Sequence, residues 1–253
     1  MTDYKTGEDH EFTLVEHLTE LRNRLMAGFV AAALGCAVCY AFIEPIFAVL
    51  ARPLEAVLHP DTTLIFISYP EAFFAYLKLA LTCGIFLTSP FILYQIWAFV
   101  APGLYEHEKR LALPFVVVSS VFFTGGAMFG YFVAFPAAFK FLAGYAGKDL
   151  RLLPSVSEYF TLTVRLLLGF GLAFELPVFM VFLSLAGMID AGMLNKNRKY
   201  AILTAFVAAA ILTPTPDIVN QILLAGPLII LYELSVLAVW LLGRKKENAA
   251  DED

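Results

Sequence analysis

Six apolar runs constrain this chain more than any other feature, at about residues 25–43, 73–100, 111–139, 159–185, 200–213 and 218–242. A helix needs roughly 20 apolar residues to cross about 30 Å of hydrocarbon, and five of the six runs meet that length. The fifth holds 14 residues, about 21 Å at the helical rise of 1.5 Å per residue. It is either re-entrant or a short span. Polar residues at both its ends, with another long run behind it, favour a short span that thins the bilayer or leans on neighbours. The pattern predicts an all-α integral membrane protein with six transmembrane helices. Composition agrees: 60% of the residues are hydrophobic and 15% charged, against about 45–50% and about 25% in soluble domains.

Lysine and arginine orient the spans. With the N-terminus in the cytoplasm, the inside segments hold Lys5, Arg22, Arg24, Lys109, Arg110, Lys196, Arg198, Lys199, Arg244, Lys245 and Lys246. The outside segments hold only Arg52, Lys140, Lys148 and Arg151. The chain then divides into a cytoplasmic amphipathic segment (1–24), a membrane domain (25–242) and a charged cytoplasmic tail (243–253). In the first segment Thr13 and Glu16 have capping-box spacing. Leu14, Leu18, Leu21 and Leu25 form one stripe of a helix expected near the inner membrane surface. No cleavable signal peptide is visible. Pro45, Pro53, Pro60 and Pro70 are expected to break the first outside loop, residues 44–70, into the short pieces of a compact cap.

Several chemistries lack their residues. The net charge of −5 and the lack of a basic stripe argue against nucleic acid. Gly144, Gly147, Lys148 and Asp149 miss the phosphate-loop spacing, and neither HExxH nor GxSxG occurs. His10, His17, His59 and His107 are too scattered for a metal set. Cys36 and Cys39 form a CxxC inside an apolar run, where small buried packing residues are expected. No cofactor and no enzymatic activity are expected, so energy for work would come from a gradient or a partner.

The polar residues in and beside the spans carry what chemistry there is. Glu175 lies near the middle of the fourth run, where a carboxylate costs about 2.5–3.5 kcal/mol on insertion scales. It faces either a polar cavity, partner or substrate, or the carbonyl that Pro177 leaves without a donor. Arg165 lies 10 residues before it in the same run, about 15 Å along a helix, too far to pair. Arg165 and Lys78 are expected to snorkel outward. Glu20 flanks the first membrane entry with Arg22 and Arg24, and Glu108 sits in the first inside loop. The two carboxylates suit a pair of guanidinium groups, each held bidentately; ordinary solvated charge is the alternative. Tyr94, Trp97, Phe99 and Tyr105 read as an aromatic belt at the inner surface. Gly126 with Gly130, and Gly169 with Ala173, have the spacing of close helix contacts.

Four ordered motifs resemble the TatC family of the twin-arginine protein translocase. His17-Leu18-Thr19-Glu20-Leu21-Arg22-Asn23-Arg24-Leu25 is similar to its HLxELRxRL entry. Ser89-Pro90, followed by residues 94–110 with Trp97, Phe99, Pro102-Gly103-Leu104-Tyr105 and Glu108, resembles its SP…YQxWxFxxPGLYxxER block. Phe174-Glu175-Leu176-Pro177 resembles FExP, and Leu212-Thr213-Pro214-Thr215-Pro216-Asp217 resembles LTPPD with one inserted Thr. The resemblance implies a glove-like bundle of six helices, helices five and six short, both termini cytoplasmic, in the bacterial cytoplasmic (inner) membrane. It implies a receptor for twin-arginine signal peptides that works with the single-helix subunits TatA and TatB, self-associates in that complex, and exports folded proteins with the proton-motive force. It assigns Glu20 and Glu108 to the paired arginines, Phe99 beside them, and functional importance to Arg22 and Pro53. It puts Glu175 on the concave face toward a partner helix, and Asp217 in the last outside turn. The main alternative is a proton-coupled secondary transporter with Glu175 as proton carrier; a scaffold for other subunits is another.

Overall fold

The computed structural model describes residues 14–55, 64–100, 112–144, 153–213 and 218–250. Among them the chain is helical: α1 (Leu14–Ala41), α2 (Ile43–Glu55), α3 (Glu71–Val100), α4 (Ala112–Phe129), α5 (Phe135–Gly144), α6 (Val156–Leu185), α7 (Ala191–Lys196), α8 (Arg198–Leu212) and α9 (Ile218–Ala250). The one extended pairing among these residues is an isolated bridge between Ile65 and Ser155. Among the described residues, five helical segments are long and apolar enough to cross a membrane: His17–Ala41, Glu71–Phe99, Leu113–Phe141, Val156–Leu185 and Ile218–Gly243. The chain is a multi-pass membrane protein. The stretch from Leu14 to Arg24 runs without a break into the first apolar run. Thr13, proposed as its cap, lies outside the described residues.

α1 packs along α3 and α4 along α6, while α3 also meets α4 and α6, and α9 joins α6 to α8. Lipid gives apolar side chains no reason to leave the surface, so packing depends on shape. Two crossings are made backbone to backbone. A Cβ added at Gly84 would lie 2.4 Å from the Cys36 nitrogen, and one at Gly126 would lie 2.3 Å from the Phe170 carbonyl oxygen. The spacing of Gly126 and Gly130 pointed to the second crossing; nothing singled out the first. Phe135, Phe160, Leu166, Phe170 and Leu79 fill the interior between the helices. Cys36, Cys39 and Cys83 are free thiols, and all three belong to that packing.

Prolines inside helices orphan the carbonyl four residues back, and two of those carbonyls find a hydroxyl. Pro90 leaves the Phe86 oxygen, which accepts from Ser89 Oγ at 2.8 Å. Pro53 leaves the Val49 oxygen, which accepts from Tyr131 Oη at 2.6 Å. The expectation that Pro45 and Pro53 break the chain is therefore corrected, since α2 runs through both; Pro60 lies outside the described residues. Pro45 falls in the first turn, where an N–H has no partner to lose. Tyr131 belongs to a π-helical turn, Gly130–Ala134, that joins α4 to α5 just ahead of Pro136, a common way to carry a helix past an irregularity.

Glu71 ties two loops together at the start of α3. One carboxylate oxygen accepts from the backbone N–H groups of Ile67 (2.7 Å) and Ser68 (3.2 Å). The other accepts from Ser155 Oγ and from the Ser157 N–H at 2.7 Å. The chain before α3 is thereby fixed to the chain before α6, beside the Ile65–Ser155 bridge.

Candidate functional site

The antiparallel pairing of α1 and α3 brings the start of one helix to the end of the other. His17, Glu20 and Arg24 share a face of α1, spaced by three and four residues. Phe99, from the last turn of α3, stacks on the His17 ring with centroids 4.4 Å apart. Glu20 is held by its own helix: Arg24 Nε donates to Glu20 Oε1 at 2.9 Å and Arg24 Nη2 to the same oxygen at 2.6 Å. Arg24 Nη1 reaches toward Gln95 Oε1 on α3 at 3.5 Å. Both charged side chains are half-buried, 26% exposed for Glu20 and 27% for Arg24. Among the described residues, no hydrogen bond reaches Glu20 Oε2.

A groove of about 390 Å³ leads away from this cluster between the two helices. Leu21, Leu25 and Phe29 line it from α1, Ile92, Ile96 and Phe99 from α3, with Arg24 and Gln95 as its polar members. It offers charge at one end and apolar surface along its length.

A second polar point lies deeper, on α6. Glu175 Oε1 is buried with no hydrogen-bond partner among the described residues. Ser119 of α4 is the polar side chain that approaches this carboxyl group. Ser119 in turn accepts from Trp97 Nε1 at 3.2 Å. Trp97 is buried, stacking near Phe115 and edge-on to Phe182 with centroids 5.0 and 4.6 Å away. Its expected place in an aromatic belt is thus corrected: its indole N–H finds a partner inside the bundle, which frees the ring from the interface. Tyr94 is exposed.

The other residues singled out from the sequence are dispersed. Arg22 is exposed on α1, two residues from Glu20 and hence on another face. Pro53 lies at the opposite end of α1's neighbourhood, buried in α2. Lys78 Nζ donates to Thr161 Oγ1 at 3.1 Å, and Arg165 is exposed on α6. Glu108, Tyr105 and Asp217 lie outside the described residues. Three features escaped the sequence: the Glu20–Arg24 pair, the His17–Phe99 stack, and an ion pair between Arg198 and Glu233 at 2.7 Å. The first was legible as an i,i+4 spacing; the others join distant elements. No cluster of three metal-ligating side chains occurs among the described residues.

Comparison with known proteins agrees on one family. A family model described as Sec-independent protein translocase protein (TatC) matches residues 16–227. The Sec-independent protein translocase protein TatC of Desulforapulum autotrophicum is 43% identical over 245 residues, covering 97% of this chain and 90% of the relative. That of Magnetococcus marinus is 44% identical over 241 residues, covering 94% and 89%. Two crystal structures titled as the twin arginine translocase receptor TatC superpose with TM-scores of 0.79 and 0.81 at 39% and 38% identity. Each covers 88% of this chain, and 97% and 99% of the respective structure.

Proposed function

The chain belongs to the TatC family of Sec-independent protein translocase proteins, and from that premise we propose that it is the receptor for twin-arginine signal peptides in its translocase. The observation that carries this reading is the half-buried carboxylate of Glu20, bonded on one oxygen among the described residues and paired with Arg24, which lines an apolar groove. A peptide with paired arginines followed by an apolar stretch has the matching order of chemistry. One guanidinium docks on Glu20 and the second on Glu108, while Phe99 and His17 wall the site. The apolar stretch follows the groove between α1 and α3. Charge-assisted bonds supply the recognition and the groove supplies apolar burial.

In this reading the chain has six spans, with both termini in the cytoplasm and the protein in the bacterial inner membrane. The excess of lysine and arginine on one side supports that orientation. Glu175, whose Oε1 lacks a partner among the described residues, is the polar point at which a single-helix subunit of the TatA or TatB kind, or the inserted peptide, completes the bundle. Assembly with such subunits, with further copies of this chain and with lipid, driven by the proton-motive force, then moves folded cargo.

The test is binding of a fluorescent peptide beginning SRRxFLK to the purified protein in detergent. The wild type is compared with Glu20→Gln and Glu20→Gln/Glu108→Gln, with a Lys-Lys peptide as control. Wild type should prefer the Arg-Arg peptide, and each lost carboxylate should weaken it by about tenfold, the scale of one charge-assisted bond. Equal binding of both peptides by all proteins would remove the receptor reading and leave the proton-coupled transporter built on Glu175.

A further inference from the structure

Glu20 already has a partner in the structure, because Arg24 holds one of its oxygens through two bonds. We propose that Arg24 is a resident counter-ion that an incoming peptide guanidinium displaces from Glu20, so that the exchange caps affinity and keeps the bound peptide releasable. The inference rests on the receptor reading.

The geometry supports exchange in three respects. The pair is a one-oxygen chelate, not two parallel bonds to two oxygens, so an external guanidinium aligned with both oxygens gains geometry that Arg24 lacks. The pair is intrahelical and about a quarter exposed, the class of ion pair that holds weakly against water. And a landing place exists: Gln95 Oε1 on α3 already lies 3.5 Å from Arg24 Nη1, so the displaced side chain moves to an amide acceptor without entering lipid. Before a peptide arrives, the same pair keeps a half-buried carboxylate from standing uncompensated beside Arg24, which lines the apolar groove. An internal competitor lowers the apparent affinity of every ligand that must displace it by the same factor, the arithmetic of any occupied site. Export needs release as much as capture, and this arrangement provides it without a moving lid.

The experiment measures Kd and dissociation rate of the SRRxFLK peptide on the full-length purified protein. The set is wild type, Arg24→Gln, Arg24→Lys, Glu20→Gln and Glu20→Gln/Arg24→Gln. Arg24→Gln is expected to tighten binding by about three- to tenfold, mostly through slower dissociation. Arg24→Lys keeps the charge but loses the planar fork, so a smaller gain there separates competition from general charge. In the double variant the gain from Arg24→Gln must vanish, because the acceptor is gone. If Arg24→Gln and Arg24→Lys both weaken or fail to change binding while Glu20→Gln weakens it, the receptor reading survives and the counter-ion is overturned. An equal gain from Arg24→Gln with or without Glu20 also overturns it, since general charge then suffices. If Glu20→Gln leaves binding unchanged, both fall together. Should Arg24→Gln fail to yield folded protein, Arg24→Lys alone decides, and an affinity at or below wild type is the overturning result.

Discussion

Glu20 and Glu175 are carboxylates under opposite treatment. Glu20 is compensated within one turn of its own helix, whereas Glu175 Oε1 is buried with no bond among the described residues. A buried polar atom with no partner costs about 1–3 kcal/mol, and a protein tolerates that cost where another molecule completes the site. Glu175→Met removes the orphan while roughly keeping the volume. It is expected to raise the melting temperature of the purified protein by an amount equivalent to about 1–3 kcal/mol, and to lower export in cells. A fall in melting temperature, read by scanning fluorimetry, would mean that the carboxyl group has a structural partner in this fold. Both acids were legible in the sequence, Glu175 because charge at membrane depth is expensive and therefore conspicuous, and Glu20 because it stands with Arg22 and Arg24 at the first membrane entry. The walls of the Glu20 site were not. His17 and Phe99 stand 82 positions apart, and only the antiparallel pairing of α1 with α3 stacks them. Trp97 misled for the same reason: its place near a helix end says interface, and its bond to Ser119 on the next helix says interior.

Helices in this bundle are set by what their small residues and prolines permit. Gly125 and Gly126 are neighbours in sequence with opposite surroundings: a Cβ at Gly125 meets nothing within 4 Å, one at Gly126 meets the Phe170 backbone. Gly126→Ala must push α4 from α6, at an expected cost of about 1–3 kcal/mol, the usual range for overpacking. Gly125→Ala should leave stability unchanged or slightly improved, since Ala is the better helix former. Equal effects of the two, measured by thermal unfolding in detergent, would refute the close crossing. The proline sites give a sharper test. Tyr131→Phe removes the donor to the Val49 carbonyl, and about 1 kcal/mol is expected to go with it. In a Pro53→Ala background the residue-53 N–H can serve that carbonyl, so Tyr131→Phe should then cost close to nothing. An unchanged cost would detach Tyr131 from the proline. Here the sequence showed the long runs, whose length and hydropathy leave little choice, but not α2. Its two prolines read as breakers because the hydroxyl that repairs one of them comes from 78 residues away.

The architecture of the whole molecule turns on α8, the helix whose 15 residues reach only about 22 Å. Its first residue and its middle, with α7 just ahead of it, are pinned to α9 in antiparallel register. Arg198 pairs with Glu233 and Leu194 accepts from Tyr232 Oη at 2.7 Å, while Gln221 Nε2 donates to the Phe206 carbonyl at 3.1 Å. The start of α8 therefore sits beside residue 233, although the apolar stretch of α9 continues to Gly243. A short helix beside a long one makes the bilayer thin locally or fills the mismatch with polar pairs and neighbours, and the Arg198–Glu233 pair is of that kind. If α8 nonetheless crosses, the spans number six and residues at the two ends of the chain face the same side. If it does not, they number five and the ends face opposite sides. Single cysteines settle this in a Cys36→Ala/Cys39→Ala/Cys83→Ala background, with probes at His10→Cys, Met188→Cys and Lys246→Cys. All three are expected to resist a membrane-impermeant maleimide in intact cells and to react once the inner membrane is opened. Reaction of Lys246→Cys alone in intact cells would make α8 re-entrant. The cluster of Arg244, Lys245 and Lys246 would then lie outside, against the side preference that lysine and arginine impose.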